Sequence, residues 1–507
     1  MSNTAVHSPN FDVVIVGRGP VGSTLGNLLG LCGLRTLILE REAKTYHLPR
    51  AVHFDDECMR VFQTIGLADA ILPHVTLSPG MRFVDADGRL LLDWPRPSEP
   101  TAMGWNLSYR FHQPDLEAVL NDGLERWAHV DLRTRCEVFA LEQDHSGARV
   151  RYEELDTGRL VDISCAYVVG CDGARSLVRR FIGSALDDLG FHERWLVCDV
   201  LLREARPDLG DFSVQHCNPQ RPATYIRGTG SRRRWEITVH PHEDAAEITR
   251  PARVWELLSP WLRPAEAEIE RAAVYTFHSA VAQRWRNGRF LLAGDSAHQT
   301  PPFLGQGMCA GIRDVANLAW KLARVIAGKA TPDLLDTYQS ERAPHVREFI
   351  ELAIRLGGLI NTKAVEAALA TGTAQGDGQL KLDVQKPLLG PGLACGDRSL
   401  TGRLAPQFRG RDHSRSDDRV GYRFALLCRS GLEAAVIEQH HADLSAADVA
   451  IVCGQEAGGL DAWLDQHGSD AVLMRPDRYI LGAVRTGEDA ASLLSGVARL
   501  APLPSAA

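Results

Sequence analysis

The residues best suited to chemistry fall in four places along this chain. The first is Gly17-Arg18-Gly19-Pro20-Val21-Gly22, a G-x-G-x-x-G turn, followed by Glu40 and Arg41 at the end of the next apolar run. Gly17 permits a tight turn, Gly19 lets the backbone approach a pyrophosphate, and Gly22 lets a helix pack closely on a strand. A helix opening at Pro20 offers free N–H groups and the positive end of its dipole to phosphates. Glu40 stands where an acid accepts hydrogen bonds from an adenosine ribose. This constellation alone does not separate FAD from NAD.

The second place is Asp172-Gly173-Ala174-Arg175-Ser176, after a strand-like stretch. The third runs from Gly294-Asp295 through Ala297-His298 and Pro301-Pro302 to Gly305-Gln306-Gly307-Met308. Asp295, at a strand end, is positioned for a ribityl chain. A helix starting at Gly307-Met308 aims its N-terminus where a reduced flavin ring carries negative charge. The fourth comprises candidates for substrate work. His53 is the candidate base; Tyr225, Arg227, Trp235 and His240 are candidates for binding a phenolate, a carboxylate or the ring itself.

The elements that must carry these residues are readable. Phe11–Val16 is a β-branched run suited to a buried parallel strand. A small-residue helix follows to about Leu31, then a strand at Thr36–Leu39. From Met308, the residues Ile312, Val315, Leu318, Ala319, Leu322 and Val325 recur at helical spacing. Trp195–Leu202 and Arg234–Val239 read as strands, and Thr331 to about Leu359 as helix. Residues 371–420 are rich in Gly, Pro and charge and read as a linker with exposed turns.

Composition sets the outer bounds. The chain has 507 residues, 45% apolar and 24% charged, as expected of a multi-domain globular protein rather than a disordered or membrane-spanning one. A net charge of −8 argues against nucleic acid or an anionic membrane as partner. The 11 cysteines are scattered, with no CxxC pair and no metal-ligand spacing. Free thiols and a polar N-terminus without Lys or Arg lead to the expectation of a cytoplasmic protein.

Taken together, the three glycine-rich motifs resemble those of the single-component FAD-dependent aromatic hydroxylases, the p-hydroxybenzoate hydroxylase-like class. The resemblance extends to Pro49-Arg50-Ala51-Val52, Phe111-x-Gln113, Gly311-x-Arg313-Asp314-x-x-Asn317 and Met474-Arg475-Pro476-Asp477-Arg478-Tyr479. It is most similar to the branch acting on 3-(3-hydroxyphenyl)propionate. It implies that Arg50 and Gln113 contact FAD, and that Asp172 serves both FAD and a transient NADH or NADPH. It implies oxygen transfer from a C4a-hydroperoxyflavin to a phenolic ring, with O2 as co-substrate and no metal. Three departures concern the substrate: Arg18 between the first glycines, Met308-Cys309-Ala310 beside the flavin, and His53 where relatives often carry Gly.

The implied fold is α/β plus α+β: a Rossmann-like FAD-binding domain interleaved with a sheet-based substrate domain. The FAD-binding domain takes residues 1–80, 105–184 and 286–360. The substrate domain takes 81–104 and 185–285. A linker over 361–420 leads to a thioredoxin-like domain over 421–507 that lacks CxxC, with a homodimer as candidate assembly. Competing readings are a related oxygenase for a polyketide, heteroaromatic or ketone substrate, and a non-catalytic FAD-binding redox sensor. A halogenase is disfavoured because no W-x-W-x-I-P segment occurs.

Overall fold

The computed structural model describes residues 10–44, 50–359, 386–432, 444–445, 448–485 and 493. Its first sheet is built on Phe11–Val16, whose Val13, Val14 and Ile15 are buried. This strand pairs in parallel with Thr36–Leu39 on one side and Arg159–Gly170 on the other. Val130–Arg133 and Phe290–Leu292 extend the parallel set outward. Cys136–Gln143 and Ala148–Glu154 add an antiparallel extension.

The registers explain why distant motifs meet. Val16 lies opposite Gly170, and Gly170 opposite Leu292. The chain therefore leaves adjacent parallel strands at Gly17, Cys171 and Ala293, all at the same sheet edge. In open α/β sheets that carboxyl edge is where ligands bind. The helices Pro20–Leu31 and Gly307–Ile326 pack against each other over this edge. Gly311 makes the approach possible, since a Cβ there would sit 2.5 Å from Val21 Cγ2.

A second sheet of eight strands stands beside the first. It includes Gly80–Val84, Leu90–Pro95, Leu186–Leu202, Ser213–His216, Ala223–Arg227, Arg232–Thr238 and Ala267–Ala282. Alternation gives it two unlike faces. Leu196, Cys198, Tyr225, Trp235 and Ile237 pack with Val254 and Leu258 of the helix Pro251–Leu258. Asp199, Arg234, Glu236 and Arg271 are buried on the other face.

The C-terminal sheet has the order Val449–Cys453, Phe424–Cys428, Ser469–Met474, Ile480–Arg485. Its first pair is parallel and the others antiparallel. Within residues 386–420 the expected exposed turns occur at Pro391-Gly392 and Arg411-Asp412-His413, while other parts of the segment are buried. Leu400, Ala405 and Phe408 are core residues, and Asp417 pairs with buried Arg60 at 2.6 Å. Residues 361–385 of the expected linker lie outside the described residues. Among the described residues, no helix is long and apolar enough to cross a membrane.

Candidate cofactor and ring-binding site

At the first turn, Gly17 has φ +101°, and a Cβ on Gly22 would lie 2.1 Å from the Gly17 carbonyl oxygen. Both positions are closed to side chains by the backbone. Gly19 differs: a Cβ there would meet nothing within 4 Å. It caps the helix Pro20–Leu31 with no side-chain hydrogen bond to the first turn, and Pro20 opens that turn. The result is an uncapped helix N-terminus above an open cradle, as a pyrophosphate requires. Glu40 accepts hydrogen bonds from the Arg18 and Glu42 N–H groups, each at 2.8 Å, which fixes its carboxylate beside the turn. Arg41 points to solvent, where it pairs with Glu42 at 3.1 Å.

Asp172 is saturated by protein donors. It accepts from Ser176 Oγ at 2.5 Å, Ser296 Oγ at 3.0 Å, Leu177 N at 2.6 Å and Val178 N at 3.1 Å. It therefore ties the Asp-Gly turn to the helix Leu177–Ile182 and to the third motif. Asp172→Ala leaves several donors short of a partner, so a loss of about 1–3 kcal/mol is expected. Thermal unfolding of the flavin-loaded protein checks this: the transition should fall while the FAD content of freshly purified protein persists.

The third motif is clamped from its own helix. Asp314 Oδ2 accepts from the Gly294 N–H at 3.1 Å and meets His298 Nε2 at 2.6 Å, while Arg342 Nε donates to Asp314 Oδ1 at 2.9 Å. Asp295 is left accessible at the cleft. Protein crowding pushes its carboxyl pKa up, against the pull of His298 and Arg50. Pro302 opens the 3-10 turn Pro302–Leu304, and Gly305 follows at φ +62°. A Cβ on Gly305 would lie 3.1 Å from His53 Nδ1, so the loop and His53 are in direct contact. Gly307 and half-buried Met308 begin the helix, where a Gly307 Cβ would press on Thr300 Oγ1 at 2.9 Å.

His53 lies on the short strand His53–Asp55 and pairs in register with Arg110 of Ser108–Phe111. Its Nε2 is 2.8 Å from Ser108 Oγ, and its Nδ1 is buried without a hydrogen-bond partner. Burial pushes the imidazole pKa down to about 4, so it is neutral at pH 7. Gln113 Oε1 accepts from the Arg50 and Ala51 N–H groups at 2.7 and 2.8 Å, which fixes the segment leading to His53. The Arg50 carbonyl in turn accepts from Arg234 Nη1 at 2.8 Å, joining the segment before His53 to the second sheet. Arg234 and Arg271 both pair with Asp199, at 2.7 and 2.9 Å.

The substrate-domain candidates separate by strand parity. Trp235 is 0% exposed and sits 5.1 Å from the Tyr225 ring, on the face under the helix Pro251–Leu258. Trp235 is therefore core, not pocket wall. Arg227 shares that parity and pairs with Asp211. His240 lies in a turn beyond Thr238, stacked on His242 at 5.6 Å. The opposite face brings Trp195 to within 5.9 Å of Phe303, in the loop beside Gly305, and Phe191 to within 5.6 Å of the same ring. Tyr275 lies opposite Trp195 in register. A period-2 shift of one residue changes the face, and aromatic type alone does not set that phase. Asp314, Ser296 and Ser108 were also absent from the sequence candidates. The Gly311-x-Arg313-Asp314 spacing was the available signal for the first.

The uncapped helix and the open cradle at Gly19, at the carboxyl edge of a parallel sheet, suit the pyrophosphate of a dinucleotide cofactor. A family model described as FAD binding domain matches residues 10–353, and one described as HcaD C-terminal domain matches residues 432–499. The chain belongs to this FAD-binding family. It is 38% identical to a probable NADH-specific resorcinol 4-hydroxylase of Rhodococcus jostii, covering 97% of this chain and 96% of the relative. It is 36% identical to a 3-(3-hydroxy-phenyl)propionate/3-hydroxycinnamic acid hydroxylase of Mycolicibacterium gilvum, covering 93% and 89%. The solved structure of the flavin-dependent monooxygenase PieE with FAD and substrate matches with a TM-score of 0.81 at 24% identity, covering 97% and 99%.

Proposed function

We propose that this protein hydroxylates a phenolic ring, using FAD, O2 and a reduced nicotinamide nucleotide, with NADH as the donor. The observation that carries this reading is the convergence of all three flavin motifs at one sheet edge, beside His53 and an aromatic face. The full-length similarity to two ring hydroxylases, one named NADH-specific, supports the substrate class and the donor.

Bound FAD supplies hydride acceptance and oxygen activation. The glycine cradle and Glu40 would hold its nucleotide end, and Asp295 would serve the ribityl chain. The helix Gly307–Ile326 would offer its N-terminus to the ring. Trp195, Phe191 and Phe303 wall off water, which a productive oxygen transfer requires. His53, held against Ser108 Oγ at 2.8 Å beside the Gly305 loop, is the candidate acceptor for the proton of a phenolic hydroxyl.

A burial-depressed imidazole makes a pH prediction. Because the folded pKa is about 4, His53 remains an acceptor down to that value. For a base-requiring step, kcat should hold level from about pH 7.5 to 5.5 rather than fall through the ordinary histidine pKa of about 6.5. His53→Gln should lower kcat roughly 10²-fold. A wild-type inflection near pH 6.5 that persists in His53→Gln would remove His53 from this role.

The division into a discontinuous FAD-binding domain and a substrate domain at the boundaries given above is part of the same reading. It is supported by the first eight-stranded sheet drawing only on the FAD-binding segments and the second drawing on 81–104 and 185–285 apart from Gly80 and His298–Gln299. A thioredoxin-like C-terminal domain is supported by the strand order second-first-third-fourth with one parallel pair. A reducing, cytoplasmic setting is in keeping with 11 scattered cysteines that include no CxxC pair.

The test is NADH and NADPH oxidation by flavin-loaded protein across resorcinol, 3-(3-hydroxyphenyl)propionate and hydroxybenzoates, with product quantified. Stoichiometric hydroxylated product with one ring class is expected. Flavin that no nicotinamide nucleotide reduces, with any ring present, would favour the non-catalytic reading.

A further inference from the structure

The second sheet carries a positive cluster on its Tyr225 face, completed by Arg110, the in-register neighbour of His53. Arg227 and Arg233 are in-register partners on neighbouring strands, and their side chains share the face with Tyr225. Arg110 reaches the same spot from the strand Ser108–Phe111, donating through Nη2 to the Asp211 carbonyl. Arg227 pairs with the Asp211 carboxylate, and Arg233 donates to the Gly230 and Arg232 carbonyls at 3.0 and 2.7 Å.

Charge does not balance there. Among the described residues, three guanidiniums face one carboxylate, Asp211. The nearby Asp208 is committed to Arg206 at 2.7 Å. Arg110 and Arg233 are only 4% and 7% exposed, and the Nε of each is buried with no hydrogen-bond partner. Burial, and then Arg227 nearby, push the Arg110 pKa down to about 10. Buried cations in excess are costly unless paired. Arg227, with 38% of its side chain exposed, leaves the cluster open to solvent on one side.

We infer that Arg110, Arg227, Arg233 and the Tyr225 hydroxyl form a binding site for a carboxylate or phosphate group of a small-molecule ligand. Guanidiniums suit both, because their paired N–H groups match planar carboxylate and phosphate oxygens. Two sources carry such a group into this protein: the diphosphate of the nicotinamide nucleotide and the side-chain carboxylate of a phenolic acid. Which source fills the site rests on the hydroxylase reading; the anion site itself does not.

The experiment is calorimetric titration of flavin-loaded protein with inorganic diphosphate and with 3-phenylpropionate, using 3-phenylpropan-1-ol as uncharged control. At least one anion should bind, and its Kd should weaken 10-fold or more in Arg227→Gln and in Arg233→Gln. Binding of the alcohol should not change. Arg227→Gln, at a half-exposed position, keeps the test available if Arg233→Gln misfolds. Turnover then identifies the source. A rise in KM for NADH alone assigns the diphosphate. A rise in KM for 3-(3-hydroxyphenyl)propionate but not for resorcinol assigns the carboxylate. No anion binding to the wild type, or unchanged Kd in well-folded variants, overturns the site. Because the titration needs no turnover, failure of the hydroxylase reading would be seen separately, as absence of product from the wild type.

Discussion

Gly19→Ala should yield a folded protein that no longer retains FAD. The position has ordinary backbone angles and a Cβ there would touch nothing within 4 Å, so the apoprotein should tolerate the methyl group. That empty space is the approach path of a pyrophosphate to the helix N-terminus. A methyl group in it lengthens several charge-assisted hydrogen bonds, at a cost of about 3 kcal/mol, or ~100-fold in affinity. Gly22→Ala provides the contrast. Its Cβ would fall 2.1 Å from the Gly17 carbonyl oxygen, so the backbone must move. Overpacking of that kind costs roughly 1–3 kcal/mol in the apoprotein itself. Flavin absorbance per mole of protein and the unfolding transition of the apoproteins separate the two cases. Gly19→Ala retaining full flavin would contradict the placement of the phosphates.

Glu341→Ala should be the most destabilising single change away from the cofactor. Glu341 is buried in the helix Asp336–Leu359 and accepts from Asn317 Nδ2 at 2.9 Å, Lys321 Nζ at 2.7 Å and the Leu393 N–H at 3.0 Å. Arg475 also donates to it through both terminal nitrogens, at 2.9 and 2.8 Å. One carboxylate thus ties the flavin helix to the C-terminal sheet. Removing it leaves Lys321 as a buried charge with no carboxylate partner, and such losses cost about 3–5 kcal/mol. Denaturant unfolding of both proteins measures the difference.

The pH dependence has a definite sign. Burial would raise the Glu341 pKa, but Arg475 and Lys321 outweigh it and hold the carboxyl below the usual range. A depressed carboxylate contributes fully above its unfolded pKa of about 4.3. That contribution is lost as pH falls toward the folded value. The stability gap between wild type and Glu341→Gln should be widest near neutrality and narrow below about pH 4. A gap independent of pH would mean that the bonds act without the charge.

The cofactor half of this protein was legible because its chemistry is done by backbone. A pyrophosphate needs glycines at fixed spacing within one turn, so Gly17, Gly19 and Gly22 state the site locally. The flavin helix was equally plain, since its apolar stripe has the helical period.

The ring-binding half was not legible in the same way. Tyr225, Arg227 and Trp235 were reasonable candidates by residue type, yet all three occupy the face away from Asp199 and Arg234. Which face of a strand meets the flavin depends on packing against the Gly305 loop and on the Arg50–Arg234 bond, partners more than a hundred residues apart. The segment 386–420 shows the same limit: its turns at Pro391-Gly392 and Arg411-Asp412-His413 are exposed as their composition suggests, but the burial of Asp417 against Arg60 is not written in the local sequence. Local chemistry written in short spacings was determined by the sequence alone. Strand phase, and the pairing of charges across sheets, were decided only when distant segments came into contact.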